Sequence, residues 1–198
     1  MNPELSHRFI TVGSVRAIPR EDQLEASQAS YLAGFLDGDG SIHFQLVRQE
    51  SYRFGFYARA SLSLSQSTSA RAGLEELQLL IGGGYLRDRG TGMSDLVITS
   101  RPLLSRLLKE VEPYVIFKRE HVRAALELLP LIQPRMEAKE FLHVARRIDA
   151  FASLNYSKTK RISAVDVEQH LRSKGLLVPV STSSFRSNEE MGFGNNKQ

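Results

Sequence analysis

The chain of 198 residues contains no cysteine, so disulfides and thiolate zinc sites are excluded. Its five histidines are scattered, without the spacing of a metal site. No run of eighteen apolar residues occurs, so no membrane-spanning helix is expected. The first residues lack the hydrophobic core of a signal peptide, and the expectation is an intracellular protein of cytoplasm, nucleoid or organelle, not a secreted one. Lysine is scarce as well: nineteen of the 26 basic residues are arginine. The guanidinium fork matches both a phosphate and the edge of guanine. Residues 101–174 hold fifteen Lys or Arg against nine Asp or Glu, a local excess of six that suits a nucleic-acid contact.

What is present concentrates in Tyr31-Leu-Ala-Gly-Phe-Leu-Asp-Gly-Asp-Gly-Ser-Ile42. The spacing predicts a helix over about 27–38 with small residues on one face, since Ala33 and Gly34 are small and Gly38 lies one turn on from Gly34. Glycine in a helix costs about 1 kcal/mol relative to alanine, and close backbone approach to a second helix is a reason to keep two. Asp37 and Asp39 fall at the C-terminal end, where the helix dipole disfavours carboxylates unless a cation relieves them. Carboxylate, carbonyl and water oxygens are ligands of the kind Mg²⁺ takes.

Periodicity organises the rest. Residues 41–49 and 53–66 alternate as half-buried strands: Ile42, Phe44 and Leu46, then Phe54, Phe56, Ala58, Ala60, Leu62 and Leu64, form one face. The other carries Ser41, His43 and Gln45, then Arg53, Tyr57, Arg59, Ser61, Ser63 and Ser65. A helix over 69–81 ends at Gly82-Gly83-Gly84. Two short strands, 85–89 and 95–99, follow around a Gly-rich turn, with Tyr85, Arg87 and Arg89 on one face and Asp95 and Val97 turned from the core. Helices are predicted over 102–112, 119–131, 137–153 and 163–174. The fold class is α+β, with residues 1–25 an N-terminal extension, 26–176 the domain and 177–198 a tail. The polar sheet face is rich in Gln, Ser, Tyr, Arg and His. Such directional hydrogen-bonding groups suit base edges in a major groove, whereas an ordinary solvated face would favour Lys and Glu.

The segment Leu32-Ala-Gly-Phe-Leu-Asp-Gly-Asp-Gly40 resembles the signature of the LAGLIDADG homing endonucleases, and the likeness extends over roughly residues 26–174. It implies an αββαββα core, a four-stranded antiparallel DNA-binding saddle and extra C-terminal helices. It implies Mg²⁺-dependent cleavage of double-stranded DNA, with Asp39 and the Gly38 carbonyl as metal ligands and about two or three ions per paired site. Gln66 matches the residue that orders solvent around the metals, and Lys118, in Pro113-Tyr-Val-Ile-Phe-Lys118, matches a basic residue near the scissile phosphate. Close members carry Arg where this chain has Ala70, and Arg71 beside it is the candidate replacement. Gly84-Tyr-Leu-Arg-Asp-Arg-Gly90 looks like a DNA-reading hairpin, with Tyr85, Arg87, Arg89, Asp95 and Val97 toward the bases. Leu154-Asn-Tyr-Ser-Lys-Thr-Lys-Arg161 resembles a phosphate-gripping loop that uses Asn155, Ser157, Lys158 and Arg161.

The motif occurs once, which is half of what cutting two strands requires. A C₂ homodimer built on Ala33, Gly34, Leu36, Asp37 and Gly38 is the expectation, with cuts across a minor groove roughly 6 Å wide, short 3′ overhangs and a long, pseudo-palindromic target. Asp37 reads as a helix-end residue, not a ligand. Alternatives on the same fold are an RNA maturase, with intron RNA as partner, or a non-catalytic DNA-binding regulator. The start at Met1 favours an intron-borne reading frame.

Overall fold

The computed structural model describes residues 23–155 and 162–177. The extension before Gln23, Ser157, Lys158, Arg161 and the segment from residue 178 onward lie outside the described residues. The element order is α1 (Ala26–Asp39), β1 (Gly40–Arg48), β2 (Phe56–Ser67), a 3-10 turn, α2 (Arg71–Ile81), β3 (Tyr85–Asp88), β4 (Met93–Ile98), α3 (Arg101–Val111), α4 (Arg119–Leu128), a second 3-10 turn, α5 (Ala138–Ala152) and α6 (Ala164–Ser173). The strands form one four-stranded sheet in the order β1-β2-β4-β3. The α+β expectation and its αββαββα core are borne out.

Two compact units are distinguishable: one spans residues up to His43 and Ala60–Leu129, the other Phe44–Arg59 and residues from Pro130 onward. In the first unit α1 has two apolar stripes. Ala29, Leu32, Ala33 and Leu36, spaced i, i+3, i+4, i+7, are buried within the chain's own core. Tyr31, Gly34, Phe35 and Gly38 repeat that spacing on the opposite side, where Tyr31 is 60% exposed. Ala33 and Leu36, expected on the dimer contact, therefore belong to the intrachain stripe. The spacing rule sees apolar residues on both sides of this helix and cannot say which side its own core takes.

Helix α1 passes directly into β1. At Gly40 an added Cβ would lie 2.6 Å from the Leu36 Cδ1 and 2.8 Å from the Leu36 carbonyl oxygen, so only glycine allows this abrupt joint. Helix α2 stops as expected at Gly82, whose φ of 76° is left-handed and whose N–H donates to the Gln78 and Leu79 carbonyls. Leu74, Leu77 and Ile81 of α2, Leu96 and Ile98 of β4, and Leu104, Leu107 and Leu108 of α3 fill this unit's core. Each such burial is worth about 1.5–3 kcal/mol.

In the second unit the rings of Phe44 and Phe151 meet edge-on at 4.7 Å, and Phe54 lies 5.3 Å from Phe141. Strand β2 starts at Phe56, three residues later than expected, because Gly55 takes a φ of 69° and closes a turn with the N–H of Gln49 donating to its carbonyl. Arg53 consequently sits in that turn, off the sheet. Its guanidinium donates to the Met136 carbonyl at 3.1 Å and stacks over the Phe54 ring. The alternation rule had carried the strand through a glycine that breaks it.

Candidate nucleic-acid interface and metal centre

Cross-strand register assembles the open face of the sheet in the first unit. Ser63 of β2 lies opposite Val97 of β4, which lies opposite Tyr85 of β3. In the next row on that face Ser65 opposes Asp95, and Asp95 opposes Arg87. Strand β1 joins through the Ser41 hydroxyl, 2.9 Å from that of Ser63, and His43 lies 3.1 Å from Ser41. Tyr85 is 49% exposed at the rim.

Asp95 is the centre of this face, yet no part of it is accessible. Its carboxylate accepts from Arg87 at 2.6 Å, from the Arg89 Nε at 2.7 Å and from the Ser65 hydroxyl at 2.7 Å, with a second Arg89 contact besides. Arg89 also donates to the Ser65 oxygen at 3.0 Å. The hydrogen bond from Arg89, with those from Arg87 and Ser65, outweighs the cost of burial and holds the Asp95 carboxyl far below the ordinary range. Asp95 was expected to face the bases. It instead lies beneath the two arginines and fixes their direction, while their side chains remain 55% and 44% exposed. Val97, 6% exposed, and Ser61, 9% exposed, are likewise too enclosed to reach a base. Strand β4 has neighbours on both edges, so residues that alternate as if half-exposed are covered from both sides.

Ser94, also inaccessible, was not anticipated. Its hydroxyl donates to Asp88 at 2.7 Å and lies 3.1 Å from the Thr68 hydroxyl, from which it can accept. Asp88 pairs in turn with Arg71, and Arg71 reaches Glu75 at 3.1 Å. Arg71 is thus committed to two carboxylates of its own chain. Two adjacent polar residues, Ser94 and Asp95, leading into the apolar run Leu96-Val97-Ile98 were the available sequence signal, since a buried hydroxyl must find partners.

Substituting Asp95 by Asn should cost about 1–3 kcal/mol of stability, because a charge-assisted network with a buried centre loses its strongest acceptor. A pH series checks the cause. A carboxyl lowered on folding contributes stability that is complete above the unfolded value near 4 and lost as pH falls through the lower folded one. The urea midpoint of the native protein should therefore fall more steeply below about pH 4 than that of the Asn variant.

The second feature lies at the end of α1. The Asp37 carboxylate accepts three backbone N–H groups, from Ile116 at 2.7 Å, Phe117 at 3.2 Å and Lys118 at 2.9 Å. Burial raises its pKa, and these hydrogen bonds from Ile116, Lys118 and Phe117 more than reverse that, leaving the carboxyl below its ordinary value. The Lys118 ammonium donates to the Asp37 carbonyl oxygen at 2.6 Å. Asp37, expected at a dimer contact, is instead spent inside its own chain.

Asp39 is the opposite case. It is the last residue of α1, it is exposed, and no hydrogen bond or ion pair holds its carboxylate among the described residues. Gly38 before it is exposed, with nothing within 4 Å of the place a Cβ would take; the same is true of Gly34. Among the described residues no three His, Cys, Asp or Glu side chains converge into a metal-binding group. Gln66 shares the parity of Leu62 and Leu64, the core side of β2, and its Oε1 accepts the Ser67 N–H at 2.9 Å. Gln45 and Tyr57 are half-buried on their strands, and Arg59 is exposed. Tyr57 stacks on Tyr52 at 4.8 Å. Asn155, half-buried, is the one of the four expected phosphate-gripping residues inside the described residues.

Residues 32–122 match the family model described as LAGLIDADG endonuclease, and the chain belongs to that family. It is similar to the DNA endonuclease I-CreI of Chlamydomonas reinhardtii, 34% identical over 144 residues that make up 72% of this chain and 88% of I-CreI. The DNA endonuclease I-CvuI of Chlorella vulgaris is 30% identical over 157 residues, 79% of this chain and 96% of I-CvuI. The crystal structure of the homing endonuclease I-CvuI with its target in the presence of Ca superposes with a TM-score of 0.74 at 29% identity, covering 77% of this chain and 98% of that one. I-CvuI bound to the I-CreI target in the presence of Mg gives a TM-score of 0.73. No helix among the described residues is long and apolar enough to cross a membrane.

Proposed function

We propose that the protein is a site-specific homing endonuclease that hydrolyses both strands of duplex DNA with Mg²⁺, working as a two-fold dimer. One observation carries this reading. Of the two motif acids, Asp37 has every carboxylate oxygen engaged, while Asp39 has no partner among the described residues and lies at the helix end beside an open glycine stripe.

The residues present fit a divalent ion. Asp39 offers an exposed carboxylate and Gly38 an adjacent carbonyl, both hard oxygen donors. The described residues of one copy supply only a partial set, which leaves room for phosphate oxygens and a second copy to complete it. When bound, such an ion polarises the phosphoryl oxygen and makes water a stronger nucleophile at neutral pH. The chain's own groups do the rest. Gln66, with its oxygen taken by Ser67, has its amide NH₂ left to donate to an ordered water. Lys118 puts a positive charge beside the phosphate, where charge develops during cleavage. Arg87 and Arg89 reach base edges from the open face, which Tyr85, Ser41, His43 and Ser63 line in the same unit; Gln45, Tyr57 and Arg59 of the second unit are candidates for further base contacts, and Asn155, Ser157, Lys158 and Arg161 for contacts to the DNA backbone.

The second copy would pack on the unused apolar stripe of α1. Tyr31, Phe35, Gly34 and Gly38 form it, and Ile116 and Phe117, 69% and 83% exposed, flank the end of α1. Both Asp39 carboxylates would then meet at the two-fold axis, and the target would be long and near-palindromic with short 3′ overhangs.

A cleavage selection tests the whole reading. The protein, Mg²⁺ and a plasmid library with a randomised insert are incubated, and linear products are sequenced. Recovery of a near-palindromic family of cut sites supports it; a library left intact at every Mg²⁺ concentration rejects it.

A further inference from the structure

Helix α1 ends where α4 begins, and the two ends satisfy each other. The last four carbonyls of a helix and its first N–H groups have no partner within their own helix. The Lys118 ammonium takes the Asp37 carbonyl of α1, and the Asp37 carboxylate takes the N–H groups of Ile116, Phe117 and Lys118, which lead into α4. Negative charge faces the start of one helix and positive charge the end of the other, the favourable sense of both dipoles. Helix α4 has no cap from its own Lys118 side chain, so the cap comes from a residue 81 positions earlier.

We propose that Asp37 is a positioning residue for cleavage: it locks the 116–118 segment and thereby holds the Lys118 ammonium at the end of α1, two residues from Asp39. This rests on the reading that Lys118 serves phosphodiester cleavage. Lys118 has four rotatable bonds, and a free ammonium would spend its time in water. With its own N–H tied to the Asp37 carboxylate and its ammonium to the Asp37 carbonyl, both ends of the residue are fixed on one partner. The segment needs such an anchor, since Ile116 and Phe117 are largely exposed and contribute little burial of their own. Asp37 acts without touching DNA or metal.

The test is a double-mutant cycle on the DNA duplex recovered by the selection above. Asp37→Asn, Lys118→Met and the double variant are compared in single-turnover cleavage with Mg²⁺ and in binding with Ca²⁺ in its place. Asp37→Asn is expected to cut about 10–100-fold more slowly, the range found for groups that orient a functional side chain, with binding within about twofold of the native protein. In the Lys118→Met background the same change should add nothing, because the group it positions is gone. Native cleavage rates in Asp37→Asn, an equal loss in both backgrounds, or a binding loss matching the rate loss each overturns the proposal. Asp37→Ser repeats the cycle should the Asn variant fail to give a native circular dichroism spectrum. A native protein that cuts no library member refutes the function itself, and this inference with it.

Discussion

Asp39→Asn is expected to bind the target as the native protein does and to lose cleavage of both strands by about a thousandfold or more, roughly 4 kcal/mol of transition-state stabilisation. The structure makes the change unusually clean. The Asp39 carboxylate supports nothing within the chain: it is exposed, and no partner holds it among the described residues. Folding should therefore be indifferent to the loss of charge, or slightly improved, since a carboxylate at the C-terminal end of a helix opposes the dipole. The contrast with Asp37→Asn is diagnostic. That variant disturbs three backbone hydrogen bonds and should lower stability measurably. Urea midpoints and single-turnover rates on both variants separate the roles. An Asp39→Asn protein that linearises its plasmid at the native rate removes Asp39 from the centre.

Gly34→Leu should produce the second large effect, a folded subunit that no longer pairs. Nothing lies within 4 Å of an added Cβ at Gly34, so the chain itself has room for the side chain. Replacing glycine inside a helix even favours folding by up to about 1 kcal/mol. The proposed contact between two copies of α1 cannot accept it. On a two-fold axis the substitution occurs twice, and overpacking of about 1–3 kcal/mol per site gives roughly 2–6 kcal/mol in all. The dimer dissociation constant should rise about thirtyfold to ten-thousandfold. Sedimentation should show a monomer at concentrations where the native protein sediments as the proposed dimer, and double-strand cleavage should fall with it. A Gly34→Leu protein that remains a dimer and cuts normally would place the partner elsewhere.

Much of the fold was legible because local rules and the tertiary outcome agree. Helix α2 ends at its glycines, and α3 through α6 begin and end within a few residues of the periodicity. The failures share a cause. Arg53 was assigned to a strand that Gly55 delays, and the side chain turns to Met136. Asp95 and Val97 alternate with core residues, which suggests an exposed face, but β4 runs between two strands and its open side is roofed by Arg87, Arg89 and Tyr85. Ala33 and Leu36 were read as interface because the sequence shows two apolar stripes on α1 and cannot rank them. The Asp37 contact with residues 116–118 joins positions some eighty residues apart, and no spacing rule reports on such a pair. Asp39, expected as a metal ligand, is exposed at the end of α1 with no partner for its carboxylate among the described residues.

On the proposed readout by Arg87 and Arg89, the enclosed carboxylate of Asp95 constrains how the protein can change what it recognises. Exchanging Arg87 and Arg89 for side chains suited to other bases would strand a negative charge with no counterion, a cost of several kcal/mol. Drift toward a new target must then pass first through position 95, by a neutral substitution that tolerates arginine above it.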